Sequence, residues 1–85
     1  MSEYLWSKTR EYEALLAADL AGADPTNEDG EICLQMARAY LEDGRHFLDG
    51  TDLANALAAF AYGHGWLDAG ERLGVVEVAT RERAV

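Results

Sequence analysis

Only four residues, Asp49-Gly50-Thr51-Asp52, separate two long segments whose apolar residues recur at helical spacing. A break that short makes two long helices antiparallel neighbours. The segment before it is expected to be helical over 29–48, with Ile32, Cys33, Met36, Ala37, Tyr40, Leu41, Phe47 and Leu48 as its apolar positions. That stripe is wide enough to be covered by two neighbours. Glu28, Asp29 and Glu31 stand at its amino end, where the helix dipole favours acids. The segment after the break is expected to be helical over 52–73, capped by Thr51 or Asp52 and closed by Gly74. Its stripe is Leu53, Ala56, Leu57, Phe60, His64 and Leu67, beside the small residues Ala54, Ala58, Ala59, Ala61, Gly63, Gly65 and Gly70. A glycine inside a helix costs about 1 kcal/mol relative to alanine, so several of them predict close backbone approach to another helix. Tyr40, Gly44, Phe47, Ala56 and Phe60 follow the large-and-small spacing of one tetratricopeptide hairpin. Asp43 stands where that repeat has leucine, no proline follows and there is one unit, so the pattern implies hairpin geometry without a peptide-binding superhelix.

A first helix is expected over 3–21, with Ser2 as its cap and Leu5, Thr9, Tyr12, Leu16 and Leu20 as its buried stripe. Lys8, Arg10, Glu11, Glu13 and Asp19 read as its solvated face, and Gly22 as a stop in the left-handed conformation. Residues 22–30 hold the only proline, Pro25, without apolar periodicity and read as a loop. Asp24, Thr26 and Asn27 are alternative caps for the second helix. Val75 onward reads as a short tail whose valines can pack, with 81–85 fraying. The expected fold is an all-α, up-and-down three-helix bundle, one domain over 1–74 with a tail over 75–85. At 85 residues such a domain has a modest core in which every large apolar residue counts.

The stretch from Tyr40 to Gly74 resembles a family described only as domain of unknown function 357, of archaeal proteins. The likeness is carried by Tyr40-Leu41-Glu42-Asp43-Gly44-Arg45-His46-Phe47, by Asn55-Ala56-Leu57-Ala58-Ala59-Phe60, and by Tyr62-Gly63-His64-Gly65-Trp66-Leu67-Asp68-Ala69-Gly70 with Arg72-Leu73-Gly74. It covers about the C-terminal half; the first helix fits the family in length and acidity. The resemblance implies a small up-and-down three-helix bundle and no activity. His64 departs from the aromatic residue expected there, which weakens a shared ligand role for it.

The residues that carry chemistry form pairs rather than a set. Asp43 with His46, and His64 with Asp68, each share a helix face, as ligands of di-metal bundles do. With the turn at Gly50, however, His46 is level with about Asn55. His64 then lies about 14 Å further along at 1.5 Å per residue, beyond the reach of one metal ion. No metal or cofactor site is expected. Asp68 and Arg72 are spaced for a surface ion pair, or join Asp43, Arg45, Asn55 and Tyr62 in a polar patch where two arginines grip a small anion. Asn55 alternatively satisfies the end of the second helix. Trp66 lies off the main stripe, either packed over the first helix or exposed as an anchor. Trp6 reads as a surface contact, and Cys33 as a small core hydrophobe. No nucleophile sits beside a base and no glycine-rich loop follows a strand, so no catalytic residue is assigned. Two readings remain: a non-enzymatic protein-interaction or self-association module using the small-residue face and Trp66, or a binder of small anionic ligands using the polar patch.

Charge limits the partners. Sixteen acids face seven bases, a net charge of −9, and Lys8 is the only lysine. The bases are scattered, so neither nucleic acid nor an anionic membrane is an expected partner. One cysteine allows no internal disulfide. No signal-like start or ~20-residue apolar span is seen, so a cytoplasmic setting is expected. An acidic surface almost without lysine suits multimolar salt, where screening over about 3 Å at 1 M suppresses carboxylate repulsion. Raising KCl from about 0.1 M to about 2 M is therefore expected to raise Tm by about 5–10 °C, equivalent to about 1–2 kcal/mol for a domain of this size. Thermal melts followed by circular dichroism check this, and a flat or falling Tm contradicts it.

Overall fold

In a computed structural model of the chain, which describes residues 2–79, three helices form the expected all-α, up-and-down bundle: α1 (Glu3–Ala21), α2 (Glu28–Asp49) and α3 (Leu53–Arg72). Each begins at a side-chain cap. The Leu5 N–H donates to the Ser2 hydroxyl at 3.2 Å, the Gly30 N–H to Asn27 Oδ1 at 2.9 Å, and the Asn55 N–H to Asp52 Oδ1 at 3.3 Å. Asn27 is thus the cap of α2, and Asp52 rather than Thr51 that of α3.

The helix ends differ from the expectation in their chemistry. Gly22 ends α1 at φ −103°, outside the left-handed region. Its carbonyl accepts from the Ala79 N–H at 2.9 Å, so an incoming strand satisfies the helix end. In the turn after α2 the left-handed residue is Thr51, at φ 60°, and not Gly50. The Asp52 and Thr51 N–H groups donate to the Phe47 and Leu48 carbonyls at 2.9 and 3.0 Å, the double closure of a Schellman end. A β-branched residue there costs roughly 1–2 kcal/mol. Only Gly74, at φ 74°, ends its helix as expected, with the Val75 N–H donating to the Gly70 carbonyl at 2.9 Å.

Two short strands, β1 (Ala23–Pro25) and β2 (Val76–Val78), pair antiparallel with Ala23 opposite Val78 and Pro25 opposite Val76. Sequence reading placed these residues in a loop and a tail. Three-residue strands are too short to carry a period-two signal, and Pro25 argues locally against one. Val76 and Val78 are buried in the common core, so the packed unit extends past Gly74. The expected fraying of 81–85 lies outside the described residues.

The core is built from Leu16 and Leu20 of α1, Cys33, Leu34, Ala37, Leu41 and Leu48 of α2, Leu53, Ala56, Phe60 and Leu67 of α3, and the two valines. Leu34, which falls between the expected positions, is fully buried, whereas Ile32 is exposed. Along α2, Ile32 sits about 140° around the helix from Ala37, and Leu34 only about 60°. Thr9 is buried because its hydroxyl donates to the Leu5 carbonyl at 2.7 Å. Tyr12 stays exposed at the margin of its stripe. Replacing Val76 or Val78 by alanine is expected to lower the urea-unfolding free energy by about 1–3 kcal/mol each, while Glu77→Ala, on the outer side of the strand, changes it by less than about 0.5 kcal/mol. Valine variants as neutral as Glu77→Ala would contradict a core role for β2.

Candidate functional site

Glycines set how closely the helices approach, and they divide into two kinds. A β-carbon on Gly44 would fall into the Phe60 ring, and one on Gly30 into the Val75 carbonyl. On Gly63 it would come within 2.6 Å of Leu16 Cδ2, and on Gly70 within 2.7 Å of Val76 Cγ2. All four are buried, and the packing fills the space their missing side chains leave. Gly65 differs: it is exposed, and a β-carbon there would meet nothing within 4 Å.

Gly65 lies in the middle of an outward face of α3 formed with Ala54, Ala58, Ala61 and Ala69, all exposed. Tyr62 and Trp66 border this face, 63% and 37% exposed. Ala61, Tyr62, Gly65, Trp66 and Ala69 line a shallow hollow, and Ala61 also lines a second one with Tyr12, Leu15 and His64. Together they form an apolar surface running from α1 across α3. The Tyr62 ring is held by Tyr40 of α2, with centroids 5.5 Å apart. On the other border, His64 Nε2–H donates to the Tyr12 carbonyl at 3.2 Å and its ring meets the Tyr12 ring edge-on. A carbonyl can only accept, which fixes the proton on Nε2.

The polar patch expected from the sequence is not brought together. Arg45 turns to α1, where its Nε–H donates to Glu13 Oε2 at 2.9 Å. Arg10 binds the other Glu13 oxygen at 3.2 Å, and the Glu13 side chain is only 16% exposed. Glu13, expected on a solvated face, therefore joins α1 to α2; its spacing from Arg10 was the one sequence sign. Asn55 Nδ2 donates to Asp52 Oδ2 at 2.7 Å at the start of α3. Asp68 and Arg72 pair with each other at 2.9 Å near its end, in the expected surface geometry. The 17 residue steps from Asn55 to Arg72 span about 25 Å of helix. Asp43 and His46 are exposed on α2. Among the described residues no three of His, Cys, Asp and Glu gather as metal ligands would.

A further hollow between α1 and α2 is lined by Ala17, Leu20, Arg38, Leu41, Glu42 and Arg45; of these the sequence marks Leu20 and Leu41 as core and Arg45 alone as a candidate site residue. Lys8 hydrogen-bonds Glu11 at 3.2 Å, and that carboxylate raises the lysine pKa above its ordinary value. The pair is a surface contact of small energetic weight. Among the described residues, no helix is long and apolar enough to cross a membrane.

The chain is similar to protein AF1782 from Archaeoglobus fulgidus, whose crystal structure superposes with a TM-score of 0.81 at 22% identity, covering 91% of this chain and 96% of that one. At that identity the likeness speaks for the fold. No curated protein matches the chain. The family model described as a protein of unknown function, DUF357, matches residues 11–76, from the middle of α1 through α3 to the first residue of β2. The chain belongs to the DUF357 family.

Proposed function

We propose that this protein is a non-enzymatic interaction module that docks through the outward face of α3. The observation that carries this reading is an absence of charge where charge is otherwise dense. Residues 53–67 contain no Asp, Glu, Lys or Arg, in a chain where 27% of residues are charged. An exposed helix face bearing Tyr62, Trp66 and a row of small residues, with no charge before Asp68, has the composition of an interface centre. Aromatic anchors beside small residues let a partner helix approach closely.

The small-anion reading receives less support. Arg45 is committed to Glu13 and Arg72 to Asp68, and in the antiparallel hairpin they lie about 24 Å apart along the helix axes. A binder of this kind needs its cations convergent and available.

The reading is tested by retention on the tagged chain from native extract, at the salt concentration where the chain melts highest, with intact masses of everything held. A protein retained in stoichiometric amount, including an untagged copy of this chain, is expected to be lost on Trp66→Ala and on Gly65→Glu. It is expected to be kept on Glu11→Ala, a change on the outer side of α1. Retention indifferent to both α3 changes, or a Tm raised by phosphorylated metabolites as binding linkage requires, contradicts it.

A further inference from the structure

Helix α1 is fastened unevenly along its length. Its carboxyl end is held by Leu16 and Leu20, both in the core, and by the Gly22 carbonyl, which accepts from the Ala79 N–H. Residues 3–15 add to that core only Leu5, partly buried at its edge. Tyr4, Trp6, Tyr12 and Leu15, the other large apolar residues in this stretch, are exposed. On the helix line that runs from Leu5 to Leu16, the intervening positions are Thr9 and Glu13. Thr9 is buried, but its hydroxyl donates to the Leu5 carbonyl of the same helix. Such a bond joins nothing across the interface and weakens its own turn. Polar contacts from the two other helices instead arrive at adjacent residues: His64 of α3 at the Tyr12 carbonyl, and Arg45 of α2 at the Glu13 carboxylate.

We infer that residues 3–13 form a strap that lifts from the α2–α3 hairpin as one unit, latched at Tyr12 and Glu13, while the rest of the domain stays folded. This goes beyond the docking reading and does not rest on it. Elements that bury much apolar surface open last and those that bury little open first. The core side chains belong to α2, α3, β2 and the carboxyl end of α1, so the lifted strap takes none of them with it. Its latch is of the weak kind, because the Arg45 side chain is 50% exposed and water competes for the pair. Once free of its seat, a helix this short does not hold together in water, so lifting also bares the strap's backbone. At the far end of the strap, Ser2, Glu3 and Trp6 share a hollow with Thr51 of the α2–α3 turn. Lifting therefore uncovers the hairpin beside that turn, a different surface from the Tyr62 and Trp66 border of α3. A partner whose carboxylate takes Arg45 from Glu13 favours the lifted form.

Limited trypsin digestion of the full chain under native conditions tests this, read as initial cutting rates. Lys8 and Arg10 are the trypsin sites of the strap, while Arg38 and Arg45 lie in α2. Cutting after Lys8 or Arg10 is expected to be at least about 10-fold faster than cutting after Arg38. Arg45→Ala and His64→Phe are each expected to speed the strap cuts about 3-fold to 5-fold, with exchange of the Ala37 and Phe60 amides unchanged. Thr9→Val, which turns the buried contact apolar, is expected to slow the strap cuts by a similar factor. In the uncut chain, the amides of residues 7–13 are expected to exchange together, faster than that of Leu20. First cuts in α2, or strap cutting indifferent to both latch variants, overturn the inference. So does exchange that slows residue by residue from Glu3, which is fraying of a helix end, or that is as slow in the strap as at Leu20.

Discussion

The ring of Phe60 occupies the place where a β-carbon on residue 44 would stand, and the closeness of α2 to α3 depends on that residue being glycine. Phe60 is fully buried, so its ring has no free space to retreat into, and interiors at this density do not yield to an added methyl without cost. Gly63 admits Leu16 from α1 to the same side of α3, and Gly70 admits Val76 from β2. Gly30 lets the chain leaving α3 cross the start of α2, where the Thr26 N–H donates to the Val75 carbonyl at 2.9 Å. With few large side chains to bury, the domain gains contact by bringing backbones together.

This economy has a consequence on the other side of α3. A helix whose inner face is built for close approach has alanine and glycine on its outer face too, and here they are not covered by charged side chains. Acids gather on α1, α2 and the helix ends, while the middle of α3 is left neutral. The layout separates two jobs. Glu13, held by Arg10 and Arg45, ties α1 to α2 at a half-buried point, and the caps Ser2, Asn27 and Asp52 start each helix. The neutral face is left with no partner within the described fold, bordered on one side by Tyr62, which Tyr40 braces, and on the other by His64, which Tyr12 braces. A surface so held is preorganised for contact, which limits the entropy lost on docking.

Much of the fold was legible because α-helical periodicity over about twenty residues is a strong signal. The four-residue turn, the Ser2 cap and the interlocking of Gly44 with Phe60 followed from residue type and spacing, which narrow the caps of α2 and α3 only to alternatives from which the structure selects Asn27 and Asp52. The two strands did not, because their pairing is fixed by tertiary contact: the exit of α3 over Gly30 delivers Val76 beside Pro25. Leu34 was hidden among nearer matches to the pattern, and Ile32 counted as core though it points the other way. The candidate site was less legible. Arg45, Asn55, Asp68 and Arg72 are polar neighbours in sequence pattern but separate in space, since each finds a local acceptor first. Tyr62 and Trp66 were named, yet the distinction that matters, between helix glycines filled by the fold and the one within α3 left open, is invisible until the backbone is placed.

That distinction is the centre of the account, and it is measured most directly by the urea-unfolding free energies of Gly30→Ala, Gly44→Ala and Gly65→Ala, at protein concentrations too low for association. The first two are required to lose about 1–3 kcal/mol or more, because the added carbon meets the Val75 carbonyl and the Phe60 ring. Gly65→Ala is required to gain up to about 1 kcal/mol, since alanine is the better helix former and the space is open. A loss at Gly65 in the dilute monomer, or a gain at Gly30 or Gly44, would contradict the division of inner and outer glycines on which the account stands.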